Sequence, residues 1–144
     1  MISAGNLLMF YLGLELSTIP LAAIANFDLA KRKSSEAAMK LIISSAFSSG
    51  LLLFGISLVY GSTGTLGFAG IAANYSADPM QLFAFVLLLA GFGFKISAVP
   101  FHLWTADVYE GAPVAVTSYL SVISKGAILF VLVPVLYTVF KPIA

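Results

Sequence analysis

Apolar residues fill long stretches of this chain without a charge, and polar residues gather in short groups between them. Leu41 to Tyr60 is one such stretch, and Ala112 to Ser124 and Gly126 to Phe140 are two more, divided only by Lys125. About 20 residues of helix cross a hydrocarbon core roughly 30 Å thick, so the pattern predicts four transmembrane helices, at about 3–26, 35–60, 79–109 and 113–140. They form a single bundle over residues 1–144. Pro20 predicts a kink near the end of the first helix. Ser34 or Ser35, with Glu36 in the first turn, predicts an N-terminal cap for the second. Small residues at Ser44, Ser45, Ser48, Ser49 and Gly50 predict close helix packing there. Gly61 to Thr65 reads as a turn, Leu66 to Asn74 as a short interfacial helix, and Asp78-Pro79 as a cap with proline at the first helical position. The third helix is longer than a span requires and holds Pro100 in its interior, which removes a backbone hydrogen bond and biases Val99 toward extended geometry. It is therefore predicted to be broken near Pro100.

Composition turns these elements into an all-α integral membrane protein: 60% of the residues are hydrophobic and 9% charged, against about 25% charged in a soluble domain. The first fourteen residues carry no charge, so no cleavable signal peptide is expected. Cysteine is absent and His102 is the single histidine. Thiolate clusters, haem with two histidine ligands and clustered metal sites therefore lack ligands, and no cofactor is expected in this chain. Gly91-Phe-Gly93 lacks the third glycine of a dinucleotide fingerprint. Lys31, Arg32 and Lys33 form too short a basic run for a nucleic-acid surface. They do set orientation: Gly61 to Asp78 holds no basic residue, so the first connector is expected on the cytoplasmic or matrix side, with the third helix running inward and the fourth outward.

The charges inside the spans carry the candidate chemistry. At about 1.5 Å per residue, Glu15 and Lys125 lie roughly 18 Å into the first and fourth helices and Lys95 roughly 24 Å into the third, so all three fall near the bilayer midplane. An intramembrane ionisable residue costs about 2.5–3.5 kcal/mol on insertion scales, which points to a use for it. A carboxylate among two amines supplies a partner, and taking an amine out of water favours its neutral form, so a lysine so placed can load and release protons. A broken helix at the midplane exposes backbone groups that line a hydrated cavity, with Gly91 and Gly93 giving flexibility just before Lys95. His102, past the break, is a candidate relay toward the cytoplasmic side. Blander readings stand beside these: a static ion-pair network for Glu15, Lys95 and Lys125, and a hydrogen-bonded packing role for His102. Lys40, one turn into the second helix, is either a snorkelling lysine or an additional proton-transfer residue. Asp107, Glu110 and Lys141 read as solvated or dipole-matching charges near span ends, and Trp104 and Tyr109 as an interfacial aromatic belt.

Three segments make these residues specific: "LGLELSTIPL" (Leu12 to Leu21), "SSEAAMKLIISSAFSSGLLLFGISLVYGSTGTL" (Ser34 to Leu66) and "GFGFKISAVPFHLWTADVYEGAPVAVTSYLSVISKGA" (Gly91 to Ala127). Together they resemble the subunit N family of the bacterial proton-pumping NADH:quinone oxidoreductase, whose mitochondrial counterpart is subunit 2 of respiratory complex I. The resemblance implies an antiporter-like inverted-repeat fold of about fourteen helices, of which this sequence resembles helices five to eight only. It implies that Glu15 is the helix-five glutamate, Lys95 the lysine of the broken seventh helix and Lys125 the lysine of the eighth that passes protons toward the central axis, with His102 on the continuing path. It implies an enzyme only as part of a complex, with NADH, FMN, iron–sulfur clusters and quinone in partner subunits. The expected partners are other membrane-arm subunits, the remaining helices of the same subunit, on another chain or outside this sequence, and the lipid bilayer, with no nucleic acid. The expected location is the bacterial inner membrane, or the mitochondrial inner membrane for an organellar protein. Two alternatives remain open at this point: a subunit of a cation/proton antiporter, and a structural membrane fragment.

Overall fold

The computed structural model describes residues 3–140. Helix α1 (Leu7–Ala25) begins later than the hydropathy edge at Ser3, because Asn6 takes the N-cap position and its side chain accepts the Met9 N–H at 2.7 Å. The Leu7 N–H, another donor of the first turn, is taken by the Leu66 carbonyl at 2.9 Å, so this helix start is pinned to a distant loop. Helix α1 runs through Pro20 without interruption.

Helix α2 (Arg32–Thr63) starts ahead of the serines expected to cap it, and its N-cap residue Lys31 makes no side-chain cap bond. Ser34 and Ser35 instead serve the end of α1: the Ser34 hydroxyl donates to the Ala25 carbonyl at 2.6 Å and the Ser35 hydroxyl to Asn26 Oδ1 at 2.9 Å. The first fills an acceptor that a helix C-terminus leaves open, and the second holds the side chain of the C-cap residue. The connector before α2 is braced by Lys31 and Asp28, paired at 2.8 Å, and the hydrogen bond from Lys31 holds the Asp28 carboxyl below its ordinary pKa. Gly64 closes α2 in the left-handed region at φ 70°, its N–H donating to the Tyr60 carbonyl.

The short helix α3 (Phe68–Asn74) buries Ile71 and leads to α4 (Pro79–Ile96). Asp78 does stand at the N-cap of α4, yet its carboxylate accepts from the Ser76 hydroxyl at 2.8 Å and makes no cap bond. The buried Gln81 orders this turn instead, accepting the Ser76 N–H at 2.8 Å. As the sequence predicts, the third span is broken, but the break opens before the proline. Ser97 adopts φ 60°, the left-handed conformation that ends a helix, and the Ala98 N–H returns to the Gly93 carbonyl at 2.7 Å. Helix α5 (Leu103–Gly111) resumes beyond Pro100. The fourth span comprises α6 (Val114–Ser118), a π-helical stretch (Tyr119–Ser124) and α7 (Lys125–Val139). Hydropathy carries no trace of that π-helical stretch, because a widened turn changes which face a side chain takes without changing its polarity.

Helix α2 is the hub, packing against α1, α4 and α5. Two apolar cores result. One joins Phe10, Leu14, Leu52, Leu88, Phe92 and Leu132, and the other joins Ala22, Ala25, Leu41, Val108, Val116 and Leu120. Of the small residues of α2, Ser45, Ser48 and Ser49 are buried, whereas Ser44 is half-buried and Gly50 faces open space. Gly91 serves contact and not the flexibility expected of it. A Cβ there would lie 2.3 Å from Leu52 Cγ, and the Ser48 hydroxyl donates to its carbonyl at 3.0 Å. Gly111 lets α5 meet the backbone of α2, since a Cβ would lie 2.4 Å from the Lys33 carbonyl oxygen. Four helical segments, Leu7–Ala25, Arg32–Thr63, Pro79–Ile96 and Val114–Val139, are long and apolar enough to cross a membrane. Large side chains such as Leu16, Ile19, Phe47 and Phe130 point outward, as the apolar surroundings of a bilayer allow.

These contacts separate glycines that packing requires from one that it does not. Gly111→Ala is expected to destabilise the protein by about 1–3 kcal/mol, the ordinary cost of overpacking. Gly50→Ala is expected to be neutral or slightly stabilising, because alanine is the better helix former. Thermal unfolding in mild detergent checks both.

Candidate functional site

Two periodicities build the site. Glu15 and Thr18 are three residues apart on α1, and Ser45 and Ser49 four apart on α2, so each pair shares one helix face. Those faces meet at the last turn of α4, where Lys95 lies. Lys95 Nζ donates to Ser45 Oγ at 2.7 Å, to Glu15 Oε1 at 3.1 Å and to Thr18 Oγ1 at 3.4 Å. An ammonium has three protons to give, and three acceptors surround it. The Ser49 hydroxyl donates to the same Glu15 oxygen at 2.5 Å. The lysine side chain is only 5% exposed and the glutamate 20%. A pair so enclosed is costly to separate, because removing one partner leaves the other charge without compensation.

The backbone around the lysine is also largely satisfied. The Phe94 carbonyl, released by the break, accepts the Ser97 N–H at 3.0 Å and the Trp104 Nε1–H at 3.2 Å. A cavity of about 250 Å³ does lie at the break, lined among others by Phe94, Pro100, Phe101 and Trp104. What remains next to Lys95 is a cavity of about 30 Å³, lined among others by Thr18, Ser45, Trp104, Leu120 and Ser124. That is room for about one water.

Of the sequence-predicted residues, only Glu15 and Lys95 come together. Lys125 begins α7, directly after Ser124 of the cavity wall, and is half-buried with its Nζ 5.3 Å from the centroid of the Tyr109 ring. It makes no ion pair with Glu15, so the static network of all three charges, the blander of the two readings, is not what the structure holds. His102 stands exposed at the N-cap of α5, and its ring has no hydrogen-bond partner among the described residues. Lys40 does not snorkel free: its Nζ lies 2.7 Å from Glu36 Oε1 and 2.7 Å from Asp107 Oδ2. Asp107 and Glu110 are likewise more than solvated ends, for Glu110 pairs with Lys33 at 2.5 Å, and both pairs link α5 to α2. Lys141 lies outside the described residues. Trp104 and Tyr109 turn toward the break, Trp104 stacking on Phe94 at 5.3 Å and meeting Tyr109 edge-on at 6.5 Å. Sequence reasoning missed Thr18, Ser45 and Ser49 as ligands of the pair. The available signal was the need of a buried ammonium for three acceptors, set against hydroxyls spaced to face it.

Among the described residues no group of three histidine, aspartate or glutamate side chains is placed to hold a metal ion. Comparison with known proteins agrees on the fold. The chain is 54% identical over 142 residues to NADH-quinone oxidoreductase subunit N of Phocaeicola vulgatus, covering 99% of this chain and 30% of that protein. It thus spans about 30% of the length of that curated relative. Among solved structures it is similar to a chain of respiratory complex I from Thermus thermophilus with bound aureothin, at TM-score 0.79 and 35% identity, covering 88% of this chain and 28% of that one. It is also similar to a chain of the Mrp complex from Dietzia sp. DQ12-45-1b, at TM-score 0.84 and 25% identity, covering 95% of this chain and 26% of that one. With residues 4–144 matching its profile, the chain belongs to the NADH:quinone oxidoreductase/Mrp antiporter transmembrane family.

Proposed function

We propose that this chain is part of a proton-translocating membrane-arm subunit of NADH:quinone oxidoreductase, in a bacterial inner membrane, where it moves protons in response to quinone reduction in other subunits. The observation that carries the proposal is the enclosed Lys95–Glu15 pair at the end of a broken helix. Glu15 stabilises the protonated amine while the pair is closed. When the pair opens, Lys95 loses its counter-charge, and release of its proton becomes favourable because an unpaired buried ammonium is strongly penalised. The small cavity leads from Lys95 to Ser124, beside Lys125, so Lys125 is the next acceptor through one ordered water. His102, exposed beyond the break, exchanges protons with the aqueous side. Lys40 holds α5 in place through Asp107 and does not carry the transferred proton. The chain itself binds no NADH, flavin, iron–sulfur cluster or quinone in this reading. Those belong to partner subunits, and the rest of the subunit supplies the other half of the transmembrane route.

The likeness to the Mrp complex favours a second reading, a cation/proton antiporter subunit working without a redox partner. The greater identity to subunit N, 54% against 25%, favours the first.

In the complete complex in inverted membrane vesicles, Glu15→Gln and Lys95→Met are each expected to lower proton translocation per NADH oxidised by at least about tenfold. Complex content in the membrane should stay near the wild-type level. Normal stoichiometry in both variants would sink the proposal. Lys40→Met removes two partly exposed ion pairs and is expected to lower translocation by less than about fivefold. Sodium-dependent proton exchange in the absence of NADH, measured in the same vesicles, decides for the antiporter reading if present and for the oxidoreductase reading if absent.

A further inference from the structure

Lys125 lies inside a span and pairs with no carboxylate among the described residues. What it does meet is an aromatic face: its Nζ stands 5.3 Å from the centroid of the Tyr109 ring, within the distance at which a cation is attracted to the negative face of a ring. The π-helical stretch Tyr119–Ser124 ends at this lysine. A π-helical turn advances the chain by less than an α-helical one for each residue, so it sets the direction in which the next side chain leaves the helix. The ring itself is firmly placed. Trp104 meets it edge-on at 6.5 Å, and the Tyr109 carbonyl accepts the Thr117 hydroxyl at 3.3 Å, tying the end of α5 to α6. Trp104 in turn stacks on Phe94 at 5.3 Å and hydrogen-bonds its carbonyl, one residue before Lys95. A continuous aromatic path thus runs from the break beside Lys95 to the ring under Lys125.

We propose that Tyr109 is a positioning residue for Lys125: the face of its ring holds the ammonium, and the Phe94–Trp104–Tyr109 stack fixes that ring relative to the broken helix that carries Lys95. This rests on the proton-translocation reading, in which Lys125 first passes its own proton on, receives that of Lys95 as the neutral amine, and is held by the ring once it is an ammonium again. Lys125 is met by the ring face, whereas the Tyr109 hydroxyl oxygen is buried and has no hydrogen-bond partner among the described residues. A rearrangement of the break would move the ring, and with it the site from which Lys125 accepts or gives a proton. Closing and opening of the Glu15 pair would then be felt at Lys125 without a direct ionic contact between the two lysines.

The test uses the complete complex in inverted vesicles, with proton translocation per NADH oxidised as readout and complex content measured alongside. Tyr109→Phe keeps the ring and is expected to translocate as wild type. Tyr109→Leu is expected to lose about threefold or more, and Tyr109→Leu combined with Lys125→Ala to be no worse than Lys125→Ala alone. Phenylalanines with increasing fluorination at position 109 keep the shape while draining the ring face, so translocation should fall stepwise along that series; a purely structural ring would give a flat one. Normal translocation by Tyr109→Leu beside an impaired Lys125→Ala, or a flat fluorination series, overturns the positioning role and leaves the proton-transfer reading intact. A stepwise fall upholds it even if Tyr109→Leu fails to assemble. Normal translocation by Lys125→Ala overturns the proton-transfer reading, and the role of Tyr109 with it.

Discussion

Left without acceptors, the buried Lys95 ammonium would be the most costly group in this fold, and the arrangement of the helices satisfies it. Glu15, Thr18 and Ser45 must converge on one point from two helices while Lys95 arrives from a third. That requires α1 and α4 to flank the same face of α2 closely. The fully buried Ser48 and the tightly packed Gly91 bring α4 against α2, with no room for a side chain at Gly91. The end of α1 is tied to the start of α2 through Ser34 and Ser35. Had any of these contacts been loose, the three acceptors would not reach one nitrogen, and desolvation would expel the charge.

The broken span divides its labour. Its first half delivers Lys95 to the buried pair, whereas its second half is fastened to α2 by Lys33–Glu110 and Lys40–Asp107 and by the backbone approach at Gly111. The joint between them, Ser97 to Phe101, is stitched by its own hydrogen bonds and by Trp104. A change in the ion pair therefore has a short, defined place in which to be absorbed.

Much of this was legible in the sequence. The all-α membrane fold followed from charge-free runs, and the broken third span from Pro100, because both depend on local chemistry that hydropathy and proline sterics report directly. Glu15 and Lys95 were found by depth alone, and they do pair. Depth does not decide azimuth, and Lys125 meets the Tyr109 ring and not the Glu15 carboxylate: equal distance along two helices says nothing about which way two side chains face. The π-helical stretch before Lys125 bears on that facing and leaves no compositional trace. Asp107 and Glu110 do lie exposed near a helix end, as the sequence suggests, but their pairing with Lys40 and Lys33 is not legible in it. Each looks like a terminal charge in its own helix, and only the packing of α5 on α2 turns them into partners.

The length of α2 has a consequence of its own. Its 32 residues make a rod about 48 Å long, against a hydrocarbon core of about 30 Å. Its charged residues, Arg32, Lys33, Glu36 and Lys40, all fall in the first part of the rod, so the excess length is spent at that end, projecting into headgroups and water more than tilting. The ion pairs that fasten α5 are thereby bathed in electrolyte, where a Debye length of about 8 Å weakens them as salt rises, while the pair at Lys95 lies beyond its reach. Two halves of one broken helix are held by charges that live in different dielectric worlds, and ionic strength acts on the grip of one and not on the other.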